Sequence, residues 1–234
     1  MGENGRVTSL GPGRPRIAPR RREGRTPRAE ILDAAAELFT TQGYASTSTR
    51  GIADAVGIRQ ASLYHHFHAK DDILEALLEG TVSQPLELTE ALRAEPAPAA
   101  VKLYALVRFD VAQLCAARWN LGALYLLPEL RSARFESFRR QRDELREHYE
   151  RLAAEVVAEV VAEQGRASAP GVEVLPFRLV ESVISIRSDE GRAPEYAERL
   201  IPDAVMQMLG RSGGDDVRAA AEELLARLGY PRAR

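Results

Sequence analysis

Residues 47–67 read TSTRGIADAVGIRQASLYHHF and bring Arg50, Arg59, Gln60, Ser62, Tyr64 and His65 together in two short blocks. These groups suit a nucleic acid. An amide pairs with an adenine edge, a guanidinium with guanine, a small apolar side chain such as Ala61 touches a thymine methyl, and hydroxyls or ammonium groups hold phosphate oxygens. Catalytic patterns are missing: the sequence has no nucleophile elbow, no phosphate-cradling glycine loop and no paired catalytic carboxylates, so an enzyme is not expected. His65, His66 and His68 lie close together, but a zinc site needs three or four converging ligands and the remaining histidine, His148, is far along the chain. No metal and no cofactor is expected.

Such groups need a scaffold that presents them. From Thr49 to Val56, Ile52, Ala53 and Val56 recur at helical spacing, and Thr47 or Ser48 is placed to cap the first amides. Gly57 then stops the helix, because glycine takes the left-handed backbone at little cost. A second helix begins near Gln60, with Leu63 and Phe67 one turn apart facing inward and the polar set facing outward. The pattern is that of a helix-turn-helix, in which the second helix enters the major groove.

The wider stretch from Thr26 to about Glu79 resembles the DNA-binding domain of the tetracycline-repressor (TetR) family. The resemblance rests on ILDAAAELF, Gly43-Tyr44, Thr47, RGIADAVGI, SLYHHF and AKDDIL with Lys70 at its centre, in that order. It implies base contacts from Gln60, Ala61, His65 and Arg50, and phosphate contacts from Thr47, Ser62, Tyr64 and Lys70. Two positions depart from the family's pattern. Arg59 stands where a small capping hydroxyl is common, and Gly51 where an acidic residue is common, so the base sequence read is left open. The resemblance also implies a homodimer built from the last long helices, with Leu179, Val183, Ile186, Ala197, Ile201, Val205 and Met208 as seam candidates. Geometry asks for a dimer too, since two recognition helices must sit about 34–36 Å apart to enter successive major grooves, which gives a palindromic operator.

The chain has 234 residues, 45% of them hydrophobic, and a formal net charge of -2. That near-neutrality hides an asymmetry. Residues 1–28 carry eight arginines against Glu3 and Glu23, a net of plus six, so the rest of the chain is acidic. This Gly/Pro/Arg-rich arm, whose GPGRPR segment resembles an AT-hook core, is expected to be disordered alone and to tether phosphates or enter a minor groove. No apolar run approaches the roughly 20 residues that cross a bilayer and no signal peptide follows Met1, so a cytoplasmic location without membrane insertion is expected. The single cysteine, Cys115, cannot form an internal disulfide and reads as a core thiol.

Helical periodicity runs through the chain, and the expected fold class is all-α: a three-helix helix-turn-helix domain plus a larger helical ligand-binding and dimerisation domain. The expected division is an arm of residues 1–25, a DNA-binding domain of 26–80 and an effector-binding and dimerisation domain of 81–234. Helices are expected over Pro27–Gln42, from Lys70 onward to a break at Glu95–Pro98, then over Ala99–Trp119, Phe135–Gln164, Glu173–Arg187, Pro194–Leu209 and Asp215–Leu228. A loop is expected at 165–171 and a turn at Ser188–Arg192. Tyr104, Trp119, Tyr125 and Phe177, with Phe109 and Phe135, are the aromatic candidates for an effector pocket, and Arg108, Arg118 and Arg178 are possible anchors. There an apolar small molecule would shift the spacing of the recognition helices. The combined expectation is a ligand-responsive repressor. An activator of the same family, or a helical module using its basic arm on anionic lipid or RNA, are the alternatives.

Overall fold

The computed structural model describes residues 26–165, 169–192, 194–211 and 214–230. The arginine-rich arm, and residues 166–168 of the expected loop, lie outside them. Every regular element among the described residues is helical. Three helices build the first unit: α1 (Pro27–Thr41), α2 (Thr49–Val56) and α3 (Gln60–Tyr64). The Thr26 hydroxyl accepts from the Ala29 N–H at 3.2 Å, and Pro27 occupies a first-turn position where its missing N–H costs nothing. Ile31, Ala35 and Phe39 from α1 meet Ile52, Ala53, Leu63 and Phe67 in a buried core.

Helix α4 (Lys70–Ala94) carries this unit and continues into the larger bundle, with Pro85 inside it. Helices α5 (Ala99–Ala116), α6 (Glu136–Gln164), α7 (Leu175–Glu190), α8 (Ala197–Met208) and α9 (Asp215–Arg227) complete the bundle, and short 3-10 turns fill 121–135 around Pro128. Helix α5 is the centre: α4, α6, α7, α8 and α9 all pack on it, so Leu103, Tyr104, Ala105, Leu106, Val107 and Val111 are buried whichever way they point. None of the described helices is long and apolar enough to cross a membrane.

Several boundaries differ from the sequence reading. Helix α5 stops at Ala116 rather than Trp119, and the Arg187 guanidinium takes over its end, donating to the carbonyls of Leu114 and Ala117. Residues 188–190 belong to α7, which Gly191 closes. The seam expectation needs a larger correction. Val183, Ala197 and Val205 are fully buried within the single chain and Ile201 nearly so, because that face of α8 lies on α5. Leu179, Ile186 and Met208 stay partly exposed, and the apolar side chains that face out beside them are Leu175, Tyr196 and Leu200.

Candidate nucleic-acid interface and effector cavities

Helix α2 starts where the Ser48 hydroxyl accepts from the Gly51 N–H at 3.1 Å, so Ser48, not Thr47, is the cap. Gly57 closes it with φ +78°, and the N–H of Ile58 returns to the Ala53 carbonyl, which turns the chain into α3. Between the two helices lies a polar triad. The Gln60 amide donates to the Thr49 hydroxyl at 3.0 Å and to the Tyr64 phenol at 3.3 Å, and those two oxygens are 3.2 Å apart. It braces the start of α2 against α3 and leaves the Gln60 carbonyl oxygen outside these bonds. Arg50, Arg59, Ala61, Ser62, Tyr64, His65, His66 and His68 are all exposed around this edge. Arg59 precedes α3 without a side-chain cap bond.

Two residues expected at phosphates face the other way. Thr47 is 5% exposed, and its hydroxyl donates toward the Gly43 carbonyl at 2.9 Å. The Lys70 ammonium donates to the carbonyls of Tyr44 at 2.8 Å and Thr47 at 3.0 Å and sits 4.0 Å from the centre of the Tyr44 ring. The Tyr44 phenol donates to Asp71, and burial, with this bond adding to it, raises the phenol above its ordinary range. Thr47 and Lys70 therefore lock the turn that aims α2. Asp72 does the same for the start of α4, accepting from the N–H groups of His68 and Ala69 at 2.9 Å each.

Of the residues expected at an effector pocket, Tyr104, Arg108 and Trp119 lie apart from one another and only Tyr125 and Phe177 of these five share a space. Tyr104 is buried and donates to Asp203 at 2.9 Å, with Arg218 bonded to both. Trp119 donates from Nε1 to Asp33 of α1 at 2.9 Å, a contact between the two units. Tyr125 and Phe177 line a small chamber of about 20 Å³, room for one water, together with Thr81, Asp110, Arg142 and Glu181. There the Arg142 guanidinium lies over both rings, 5.2 and 5.4 Å from their centres, and pairs with Glu181. Asp110 is 4% exposed and accepts from the Tyr149 phenol at 3.0 Å. Burial, with Glu181 adding to it, pushes the Asp110 carboxyl up to about 7, although the Tyr149 bond works against the shift. Arg108 lines a different space, an open cavity of about 750 Å³ between α4, α5 and α9. Its guanidinium is paired with Glu198 at 2.9 Å. Reading from aromatic identity missed Asp110, Arg142, Glu181 and Tyr149; Asp110, the one acid of α5, was the available signal.

A small helical unit with an exposed second helix, carried by one long helix out of a larger bundle, defines the class: a helix-turn-helix regulator with an attached helical domain. The family model for bacterial regulatory proteins of the tetR family matches residues 31–77. AmtR of Mycobacterium smegmatis, a solved structure, is 56% identical, with 92% of this chain and 100% of that chain covered and a TM-score of 0.83. The chain belongs to the TetR family. The transcriptional repressor KstR2 of Rhodococcus jostii is 49% identical over 53 residues, 23% of this chain and 26% of that protein, so the chain spans about a quarter of the length of the curated relatives it matches. The solved structure of KstR2 of Mycobacterium tuberculosis, at 20% identity and a TM-score of 0.63, covers 80% of this chain and 95% of that one and shares the fold.

Proposed function

We propose that this protein is a transcriptional repressor that binds a palindromic DNA operator as a homodimer and is released by a small-molecule effector. The observation that carries the reading is the braced α2–α3 edge, which offers exposed Arg50, Arg59, Ala61, Ser62, Tyr64 and His65 on a rigid support. Preorganisation of that kind is what groove recognition needs, because hydrogen bonds to base edges tolerate little misplacement. The proposed division is residues 26–80 for DNA and 81–234 for effector and dimer. Thr47 and Lys70 aim the turn, Gln60 reads a base with its free oxygen and an amide N–H released from the triad, and Ser62 and Tyr64 hold phosphates. The repressor reading is supported by the role of the KstR2 relatives, whose sequence match of 53 residues spans 23% of this chain. The second copy would cover the outward apolar band of Leu179, Ile186, Tyr196, Leu200 and Met208, since an exposed band of that kind marks an interface.

Selection of bound duplexes from a random pool tests the reading: an inverted repeat with half-sites about one helical turn apart is expected. Leu200→Glu, which puts a charge on an exposed position, should give a monomer in sedimentation and lower operator affinity by about a hundredfold. No enrichment of any repeat, or a Leu200→Glu dimer with full affinity, would overturn it.

A further inference from the structure

Helix α4 has a flaw at a defined place. Pro85 lacks an N–H, so the carbonyl four residues earlier, that of Thr81, is without its ordinary helical donor. Gln113 of α5 supplies a substitute, donating from Nε2 to the Thr81 oxygen at 3.0 Å. The other end of the same amide, Oε1, is buried with no donor among the described residues. A buried acceptor in that condition carries a free-energy penalty, which leaves the amide with reason to take a second arrangement.

Gln113 also lines the open cavity of about 750 Å³. That volume suits a drug-sized molecule. Its walls are largely apolar, with Phe109 and Tyr230 edge to face at 5.0 Å and Ala112 and Ala116 leaving space between them. Among the described residues the one cation on the wall, Arg108, is already paired with Glu198, and the exposed carboxylate of Glu223 on α9 stands at the edge. An anionic ligand would meet like charge there; a cationic one would meet its complement.

We propose that this cavity binds an amphiphile with an apolar body and an ammonium head, and that the ligand draws the Gln113 amide away from Thr81. Binding then exchanges one hydrogen bond for another. Oε1 gains a donor from the ligand, the Thr81 carbonyl loses its own, and α4 is left unstitched at Pro85, between the bundle and the helix-turn-helix. Only this last step, the effect on DNA, rests on the regulator reading.

Calorimetry on the full chain with decylamine, decanoate and decanol tests the site. Decylamine is expected to bind once per chain and at least about tenfold tighter than the other two. Ala116→Phe, which fills an exposed part of the cavity, should abolish binding. Glu223→Gln, a surface change that spares the fold, should weaken it by about fivefold. Absence of decylamine binding, equal binding of decanoate or decanol, or undiminished binding to both variants overturns the site. Anisotropy with a selected operator tests the link. Saturating decylamine should lower wild-type affinity, and Gln113→Leu should show that lowered affinity without ligand and respond no further. Binding of decylamine with unchanged operator affinity overturns the Gln113 link, while a wild type that binds no operator at all fails the regulator reading and leaves the calorimetric result to decide the site.

Discussion

Asp110→Asn isolates a buried charge whose effect on stability has a definite sign. Asp110 sits in the middle of α5, 4% exposed, with the Tyr149 phenol as donor and Glu181 and the paired Arg142 across the chamber. Its carboxyl titrates at about 7 in the fold against an ordinary value of 3.8. Between those two values the native state holds a proton that the unfolded chain has released, so raising the pH removes stability through this window and the slope vanishes above about 7. At about 1.4 kcal/mol per unit of pKa, the full shift corresponds to roughly 4 kcal/mol lost at alkaline pH, of which about 2 kcal/mol is lost between pH 5 and pH 7, where the native carboxyl is half ionised. Asparagine has nearly the same shape, still accepts from Tyr149 and never ionises. The assay is urea unfolding of wild type and variant at one protein concentration across pH 5 to 8, taking the difference so that other titrating groups cancel. Asp110→Asn should gain on the wild type as pH rises, by about 2 kcal/mol from pH 5 to pH 7, and by less than about 1 kcal/mol beyond. A difference that is flat with pH, or one that grows toward acid, would refute the reasoning.

Two further substitutions probe the DNA-binding unit. Lys70→Met deprives the Tyr44 and Thr47 carbonyls of their charged donor, so the unit should lose about 2–3 kcal/mol, read as faster amide exchange across 44–56 while α5 and α6 stay protected; unchanged exchange would refute the anchoring role. Gln60→Ala should cost little stability, since its partners can turn to water, yet relax the preference at one base pair by about 1–3 kcal/mol in competition binding. Equal weakening on every sequence would make Gln60 a brace alone.

The helix-turn-helix was legible because its determinants are local. Ser48, Gly57, Leu63 and Phe67 each act within a turn or two of themselves, through caps, a positive φ and helical spacing. Thr47 and Lys70 were not legible in the same way. Their bonds run to carbonyls left over by the Gly43–Thr47 turn, 23 and 26 residues away from Lys70, and a polar residue beside a DNA motif looks like a contact until that turn is seen. Four of the seam candidates, Val183, Ala197, Ile201 and Val205, lie inside the chain for a related reason. Periodicity finds the apolar face of α8, but only the packing on α5 decides that this face turns inward. Aromatic identity likewise put Tyr104, Trp119, Tyr125 and Phe177 in one effector pocket, whereas they occupy a core network, a junction and a small chamber. One signal was overlooked: Pro85 within a helical pattern implies an orphan carbonyl at Thr81 and hence a partner from elsewhere in the fold.

How the bundle bears on the DNA-binding unit follows from the way the links are distributed. Apart from α4, contacts among the described residues join them: Asp33 of α1 accepts from Trp119 and lies 3.6 Å from Arg118, the turn Leu121–Leu126 packs on α1, and Arg134 reaches Asp72 and Glu75 in the first turns of α4. The segment bearing Trp119 is itself fastened to α7, through Arg187 to the Ala117 carbonyl at 2.6 Å and Asn120 to the Ile184 carbonyl at 2.9 Å. Helix α7 thus carries part of the outward apolar band on one side and, on the other, holds the segment that grips α1. A shift of α7 against α5 must either break those bonds or move Trp119 with it, and Trp119 pulls on Asp33. Because these attachments are short and directional while the hydrogen-bond ladder of α4 lacks one bond at Pro85, a displacement of the bundle is expected to be taken up there before it is taken up in the braced α2–α3 edge.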